Sequence, residues 1–293
     1  MRSKLCIALV VLALMLTGAP IQQHIANERD RLRLSAGIEG LAPDEIFTTM
    51  CLAGFRGVAV DYLWVKALNL QLDHKWHEVR ALTELIAKLQ PHFPTVWTFN
   101  SWNLAYNISV QWVDPEDQWK WIKDGLAYLD QGLQRNPDSI QLFFEKGWIY
   151  WHKINLGPSE GPKEYFRERL LEDTELNPHG LTAYELAANW FLLAQRVARA
   201  YDDDPDRQHP FLSKGQVEAM YYKALQARAK ELQAEGDIEG AYQLLTTVLQ
   251  ELETLNRRNG QNFPYVEGFE TDERAITQEL WRLRIIRDMA TGS

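Results

Sequence analysis

The sequence has little cysteine and a deficit of basic charge. Its two cysteines, Cys6 and Cys51, form no CxxC or CxxCH pair, so a disulfide framework and a haem attachment site are excluded. The 31 lysines and arginines stand against 40 acidic residues, which gives a net charge of −9 and a pI of about 5.4. This balance argues against nucleic acid as a main partner, because binding to phosphates needs a basic surface.

Motifs of catalysis and of metal binding are also missing. The chain contains neither a GxSxG nucleophile motif nor a GxxxxGK[ST] phosphate-binding loop. His74 and His77 flank a predicted turn without a third ligand, and we interpret them as surface polar residues. The acidic run 202–206 lacks the glycine and the spacing of a calcium loop. We therefore expect no enzymatic activity, no cofactor and no metal.

What the sequence does have is an apolar run close to its N-terminus. Residues 5–16 are wholly apolar and follow a basic start that contains Arg2 and Lys4. This pattern predicts a secretory signal or a signal anchor. Because Pro20 follows the small residues at which cleavage would occur, we favour an uncleaved single-pass anchor over residues 1–21, at the short limit for a membrane span.

The basic start favours an N-terminus on the cytoplasmic side, so the rest of the chain is expected to be extracytoplasmic. Residues 22–43 are predicted to form a stalk or linker. A cleaved signal peptide remains the alternative, and it would leave the protein secreted or periplasmic.

Three later segments share one spacing, in which a proline is followed ten residues later by a small residue. These pairs are Pro91 and Ser101, Pro137 and Gly147, and Pro178 and Ala188. An aromatic residue precedes each small residue by four positions, and a large apolar residue follows it by three. The six flanking residues are Trp97, Phe143 and Tyr184, and then Leu104, Tyr150 and Phe191. A repeat of roughly forty residues predicts an array of helix pairs that bury their apolar faces against one another.

Helical periodicity predicts further elements on both sides of these segments. We expect helices over 53–72 and 76–90, and a helix pair over 222–256 with its turn at Gly236 and Asp237. A terminal helix is predicted at about 272–289, with Thr271 as N-cap. Loop insertions between paired helices are expected at 113–115, 155–161 and 202–210.

These residues resemble the tetratricopeptide repeat. The resemblance covers roughly residues 50–256. Its matches are Phe143, Gly147 and Tyr150 in a first helix, Gly236, Ala241 and Leu245 in a turn and second helix, and Gly125, Leu129, Gly132 and Pro137 in a second helix and its end. It implies an all-α solenoid of helix-turn-helix repeats over 44–259, followed by a loop and a capping helix over 260–293. With the N-terminal apolar segment, the chain resembles bacterial membrane-tethered repeat proteins.

The resemblance also implies a binding groove, because the first helices of such arrays line a concave surface. Carried over by position, the partner-groove residues are Trp102, Tyr106, Trp148, Trp151, His152 and Asn189. An aromatic surface of this kind suits a peptide segment or a helix of a protein partner. The alternative is that these rings fill wider spaces inside the array and serve packing only.

We therefore expect a non-enzymatic scaffold at the bacterial cytoplasmic membrane, which binds a protein partner in an aromatic-lined groove. Two other classes stay open. The protein could be a structural accessory subunit of a larger membrane complex, which predicts a large exposed apolar patch. It could instead bind a small ligand in the tryptophan-rich region, which predicts a closed cavity with convergent polar groups.

Overall fold

The computed structural model describes residues 56–156, 163–201, 214–259 and 273–291. Every regular element within these residues is a helix, so the all-α prediction is confirmed for them. The predicted anchor at 1–21 lies outside the described residues, as does the stalk. No helix of the described part is both long enough and apolar enough to cross a bilayer.

The described residues form ten α-helices, which we number in chain order. They are α1 (Arg56–Leu72), α2 (Trp76–Leu89), α3 (Pro94–Trp102), α4 (Pro115–Arg135), α5 (Ile140–Trp148), α6 (Lys163–Glu172), α7 (Ala183–Tyr201), α8 (Lys214–Glu235), α9 (Ile238–Asn259) and α10 (Glu273–Thr291). In two of them the chain stays helical after the α-helical geometry ends. Helix α3 continues as a π-helical segment (Asn103–Ile108) and a 3-10 turn (Ser109–Gln111), and α5 continues as a second π-helical segment (Ile149–Leu156).

The expected loop insertion at 113–115 is not a long loop. Pro115 is the first residue of α4, and Asp114 caps this helix by accepting a hydrogen bond from the Glu116 backbone N–H at 2.9 Å. Proline at this position loses no hydrogen bond, because the first N–H groups of a helix have no partner inside it. The extra residues of this unit therefore prolong the first helix as π and 3-10 turns.

Neighbouring helices pack as successive pairs. Helix α1 packs on α2, α3 on α4, α7 on α8, and α9 on α10, while α6 packs on the π-helical segment that follows α5. Helix α5 also contacts both α3 and α7. The helices α3, α5 and α7 therefore lie side by side, and side chains from adjacent members can form one shared surface.

Glycines allow close contacts at two of these interfaces, as the spacing of small residues predicts. A Cβ atom added to Gly125 of α4 would lie 3.0 Å from the Ser101 carbonyl oxygen, and the Ser101 hydroxyl donates to the Gly125 carbonyl at 2.8 Å. A Cβ atom on Gly147 of α5 would lie 2.7 Å from the Phe191 ring of α7. Interiors are close-packed, so a larger residue at either site would push the helices apart.

The C-terminal part is more regular. Helix α8 ends at Glu235 and α9 begins at Ile238, so the predicted turn at Gly236 and Asp237 is confirmed. Gly236 has a φ of +87°, a conformation that glycine adopts without strain. The Asp237 carboxylate accepts a hydrogen bond from the Gly240 backbone N–H at 2.8 Å, which caps α9. The predicted N-cap of the last helix, Thr271, lies outside the described residues.

Two clusters of buried residues hold these helices together. The larger cluster runs from α1 to the first half of α8, and the smaller one joins α8, α9 and α10 through Tyr222, Leu245 and Leu283. The larger cluster contains most of the buried tryptophans, and the candidate site lies at its edge.

Candidate functional site: an aromatic face across two helices

Four rings from α3, α5 and their π-helical continuations contact one another in a row. The Trp102 ring stacks on Tyr106 with centroids 5.3 Å apart, Tyr106 lies 5.7 Å from His152, and His152 stacks on Trp148 at 5.1 Å. We call these four residues the aromatic face. Trp102 is 42% exposed, and the other three are partly buried. The face therefore presents ring surface to the solvent while its inner side is packed.

The row has a simple origin in the sequence. Trp102 and Tyr106 are four residues apart, and so are Trp148 and His152, which places each pair on one side of its helix. In both pairs the first ring ends the α-helix and the second ring lies in the π-helical segment. Such segments are rare and occur frequently at functional sites. Two of them side by side mark this surface as unusual.

A polar contact joins the two helices within the face. The Tyr106 hydroxyl lies 3.3 Å from Nδ1 of His152. Burial lowers the pKa of His152, and the charges of Lys163 and Lys153 lower it further. The lowered pKa favours the neutral imidazole at pH 7, and in the tautomer that carries its proton on Nε2 the Nδ1 atom accepts the hydrogen bond from the hydroxyl. The buried Lys153 ammonium lies 5.4 Å from the centroid of the Tyr106 ring.

A carboxyl group lies on the same side of α5 as these rings. Glu145 precedes Trp148 by three residues and His152 by seven, a spacing that keeps all three on one helix face. Its Oε1 atom is buried and has no hydrogen-bond partner among the described residues. Burial raises the pKa of Glu145 to about 7. Burial, and then the charge of Glu145, also raises the pKa of the Tyr106 phenol, so the two groups are close.

Buried amides accompany both π-helical segments. Asn103 has its Nδ2 atom without a partner, and Asn155 has both side-chain polar atoms without one, among the described residues. The Oδ1 atom of Asn103 accepts a hydrogen bond from Asn107 at 2.5 Å. Buried polar groups without partners are uncommon in native proteins. Other buried atoms without partners occur along the described residues, for example in Gln118 and Gln226, but Asn103 and Asn155 are the ones that lie within the π-helical segments beside the rings.

The structure brings together four of the six residues predicted for the groove. Trp102, Tyr106, Trp148 and His152 form the aromatic face. Trp151 instead packs edge-on against Tyr184 at 5.3 Å, away from the other rings. Asn189 is exposed on α7 and forms no hydrogen bond or ring contact with the face.

Sequence reasoning missed Glu145 and the buried amides. A signal for Glu145 was available, since it lies at helical spacing from both Trp148 and His152. The partnerless state of a buried amide, by contrast, depends on which groups face it across the helix interface. No signal in the sequence identifies it.

Two clefts lie elsewhere in the described part of the chain. One, of about 360 Å³, lies between α4 and α6, and its charges pair with each other: Lys123 with Asp173 at 2.5 Å, and Arg169 with Glu116 at 2.9 Å. The other, of about 420 Å³, surrounds the turn between α1 and α2 and includes His74. Neither contains a residue of the aromatic face. The described residues hold no group of three or more side chains suited to a metal ion.

Comparison of the chain with models of protein families, with curated proteins and with solved structures finds no match. The function is therefore inferred from the residues of the site themselves.

Proposed function

We propose that the protein is a non-enzymatic scaffold that holds a segment of a protein partner against the aromatic face. The observation that carries this proposal is the unbroken row of rings across α3 and α5, with Trp102 exposed at its outer end. Tryptophan and tyrosine dominate binding surfaces because they offer large and rigid contact areas.

The proposal includes a tetratricopeptide-like solenoid as the architecture. Its support is the packing of successive helix pairs and the side-by-side arrangement of α3, α5 and α7. In an array of this kind each unit contacts its neighbours, and the first helices share one surface. A partner segment would then lie across several units.

The proposal also includes tethering to the bacterial cytoplasmic membrane, with the helical domain on the extracytoplasmic side. Its support is the apolar sequence of residues 5–16 after a basic start. A tether confines the scaffold and a membrane partner to the same surface, which raises their effective concentration.

The test is the capture of partners from native membranes by tryptophan variants. Trp102→Ala and Trp148→Ala should each reduce the recovered partner at least tenfold. Trp281→Ala is the matched control, because Trp281 lies on α10 and is 69% exposed. It should capture as well as the unmodified protein.

Circular dichroism and thermal unfolding of the same variants separate binding from folding. Trp148 is partly buried and stacks on Phe144 at 6.3 Å, so its replacement lowers stability as well. Trp102 is the more exposed ring, and its variant should retain the native helix content. Undiminished capture by a folded Trp102→Ala variant would contradict the proposal.

A second candidate function is that of an accessory subunit in a larger membrane complex. One face of α1 is apolar and exposed along its length, through Val58, Tyr62, Val65 and Leu72. Exposed apolar stripes of this kind mark interaction surfaces. If this surface carries the function, Val65→Glu should release the protein from its complex on a native gel, and Trp102→Ala should not.

A further inference from the structure

One oxygen of a carboxyl group on the side of α5 that carries the aromatic face has no hydrogen-bond partner among the described residues. It is the buried Oε1 atom of Glu145. A buried polar atom without a partner destabilises the fold, so its presence calls for a reason. The reason we infer is a ligand group that satisfies it.

Contacts on both sides of Glu145 fix its position. Four residues earlier on the same face of α5, the Gln141 side chain donates to the Thr98 hydroxyl of α3 at 3.1 Å. Seven residues later, His152 contacts Tyr106. Glu145 therefore faces the stretch of α3 between Thr98 and Tyr106. Trp102 lies in that stretch.

Nearby basic side chains are engaged elsewhere. Lys146 pairs with Asp130 of α4, and its ammonium lies 4.2 Å from the centroid of the Trp190 ring. The Lys153 ammonium lies over the ring of Tyr106, 5.4 Å from its centroid. The described residues supply Glu145 with no cation, although they supply aromatic rings that attract one.

The charge of the whole chain also favours a cationic ligand group. Its net charge of −9 attracts basic partners and repels acidic ones. A carboxylate beside tryptophan faces is a chemical match for a guanidinium or ammonium group, which stacks on the ring and pairs with the oxygen atoms.

We propose that the aromatic face recognises a basic side chain, arginine or lysine, of the partner segment, and that Glu145 is the carboxylate that pairs with it. This inference rests on the proposed function, since it names the chemistry of the segment that the face holds. Arginine fits best, because its planar group stacks on an indole and forms directed hydrogen bonds to a carboxylate.

The experiment uses the full chain in detergent, labelled with 5-fluorotryptophan. The probes are acetylated and amidated pentapeptides of alanine with arginine, lysine or glutamine at the centre. Fluorine NMR follows the signals of Trp102 and Trp148, which Trp102→Phe and Trp148→Phe variants assign. The arginine peptide should bind at least tenfold more tightly than the glutamine peptide.

The decisive variant is Glu145→Gln, which removes the charge and preserves the shape. It should reduce the preference for arginine over glutamine to less than threefold. Glu168→Gln is the matched control, because Glu168 is an exposed carboxylate on α6, and it should keep the full preference. An unchanged preference in Glu145→Gln, or no binding of any peptide, would overturn the inference.

Two further measurements complete the test. The first distinguishes a basic peptide from a small cation as the ligand. The second distinguishes failure of the basic specificity from failure of the scaffold function. If tetramethylammonium alone binds as tightly as the arginine peptide, the ligand is a small cation, and the assignment to a peptide is wrong. In the second, Trp102→Ala could abolish capture of the membrane partner while Glu145→Gln captures as well as Glu168→Gln. This result would support the scaffold function and contradict the specificity for a basic side chain. If Trp102→Ala also captures the partner normally, both the scaffold function and the specificity for a basic side chain are contradicted.

Discussion

The region around α3 and α5 and the α8–α9 hairpin both consist of packed helices, but they differ in the regularity of those helices. The hairpin consists of two helices of 22 residues each, joined by a turn at Gly236 and Asp237. Small and aliphatic side chains such as Ala229, Ala241 and Leu245 fill its interface. In the first region both helices change to π geometry and carry rings towards solvent, whereas the two hairpin helices keep α geometry throughout.

This difference indicates which region of the chain contributes less to the stability of the fold. Irregular backbone and unsatisfied polar atoms cost free energy and persist only when the surroundings hold them in place. The two helices of the hairpin have the regular α-helical geometry of a stable helix pair. The α3–α5 region departs from it at the positions that present the aromatic face, which is the pattern expected of a binding surface.

The largest expected effect is at the close contact that holds α5 against α7. Gly147→Ala would place a methyl group 2.7 Å from the Phe191 ring, and a buried ring has little room to move. We expect a loss of about 3 kcal/mol in the free energy of unfolding, measured by urea denaturation. In Gly57→Ala the added methyl group meets no atom of the described residues within 4 Å, so this control should not lower stability. Equal stabilities of the two variants would show that α5 and α7 are not packed as described.

Removing the partner of a buried lysine should have the next effect. Lys146 is 4% exposed and pairs with Asp130, so Asp130→Asn leaves its charge without a carboxylate. We expect a loss of about 2 to 3 kcal/mol in the free energy of unfolding. The exposed pair of Lys120 and Asp117 is the control, and Asp117→Asn should cost much less than Asp130→Asn because solvent screens an exposed pair. A small effect at Asp130 would contradict the view that its carboxylate stabilises a buried, charged Lys146.

The buried carboxyl group predicts a pH dependence of stability in the α3–α5 region. Burial raises the pKa of Glu145 from 4.5 to about 7, so the folded state binds a proton that the unfolded state has released. The contribution of protonated Glu145 to the free energy of unfolding is therefore fully present below about pH 4.5 and is lost as pH rises through 7. Glu145→Gln does not titrate, so between these limits its free energy of unfolding should gain about 3 kcal/mol relative to the unmodified protein, since each pKa unit corresponds to about 1.4 kcal/mol.

This prediction is measured as the free energy of unfolding in denaturant at pH 4.5 and at pH 8. The exposed Glu168 provides the control, since Glu168→Gln should follow the unmodified protein at both values. A constant difference between Glu145→Gln and the unmodified protein would mean that the pKa of Glu145 is the same in the folded and unfolded states, so that burial does not raise it.

The smallest expected effect is in the hairpin turn. Gly236 has a positive φ, and Gly236→Ala should cost about 1 kcal/mol in the free energy of unfolding. Because the turn is remote from the aromatic face, capture of the partner should be unchanged in the folded variant. If Gly236→Ala lost capture to the same extent as Trp102→Ala, binding would not be confined to the α3–α5 region.

Much of the helix packing was predictable from the sequence, and the irregular parts were not. The contacts at Ser101, Gly125 and Gly147 follow from the spacing of small residues, which directly limits how closely helices approach. The change to π geometry has no such pattern, because it depends on how a whole helix fits its neighbours. This accounts for the place of Trp151 outside the aromatic face. Its position was carried over from a regular helix, but α5 becomes π-helical after Trp148, which turns the following side chains.

The central claim is that the aromatic face contacts the partner, and site-specific photocrosslinking in native membranes tests it most directly. A benzoylphenylalanine at position 102 should give a covalent adduct with a partner, and the same residue at position 281, an exposed tryptophan of α10, should give none. Adducts of equal yield at both positions, or none at position 102, would contradict the claim.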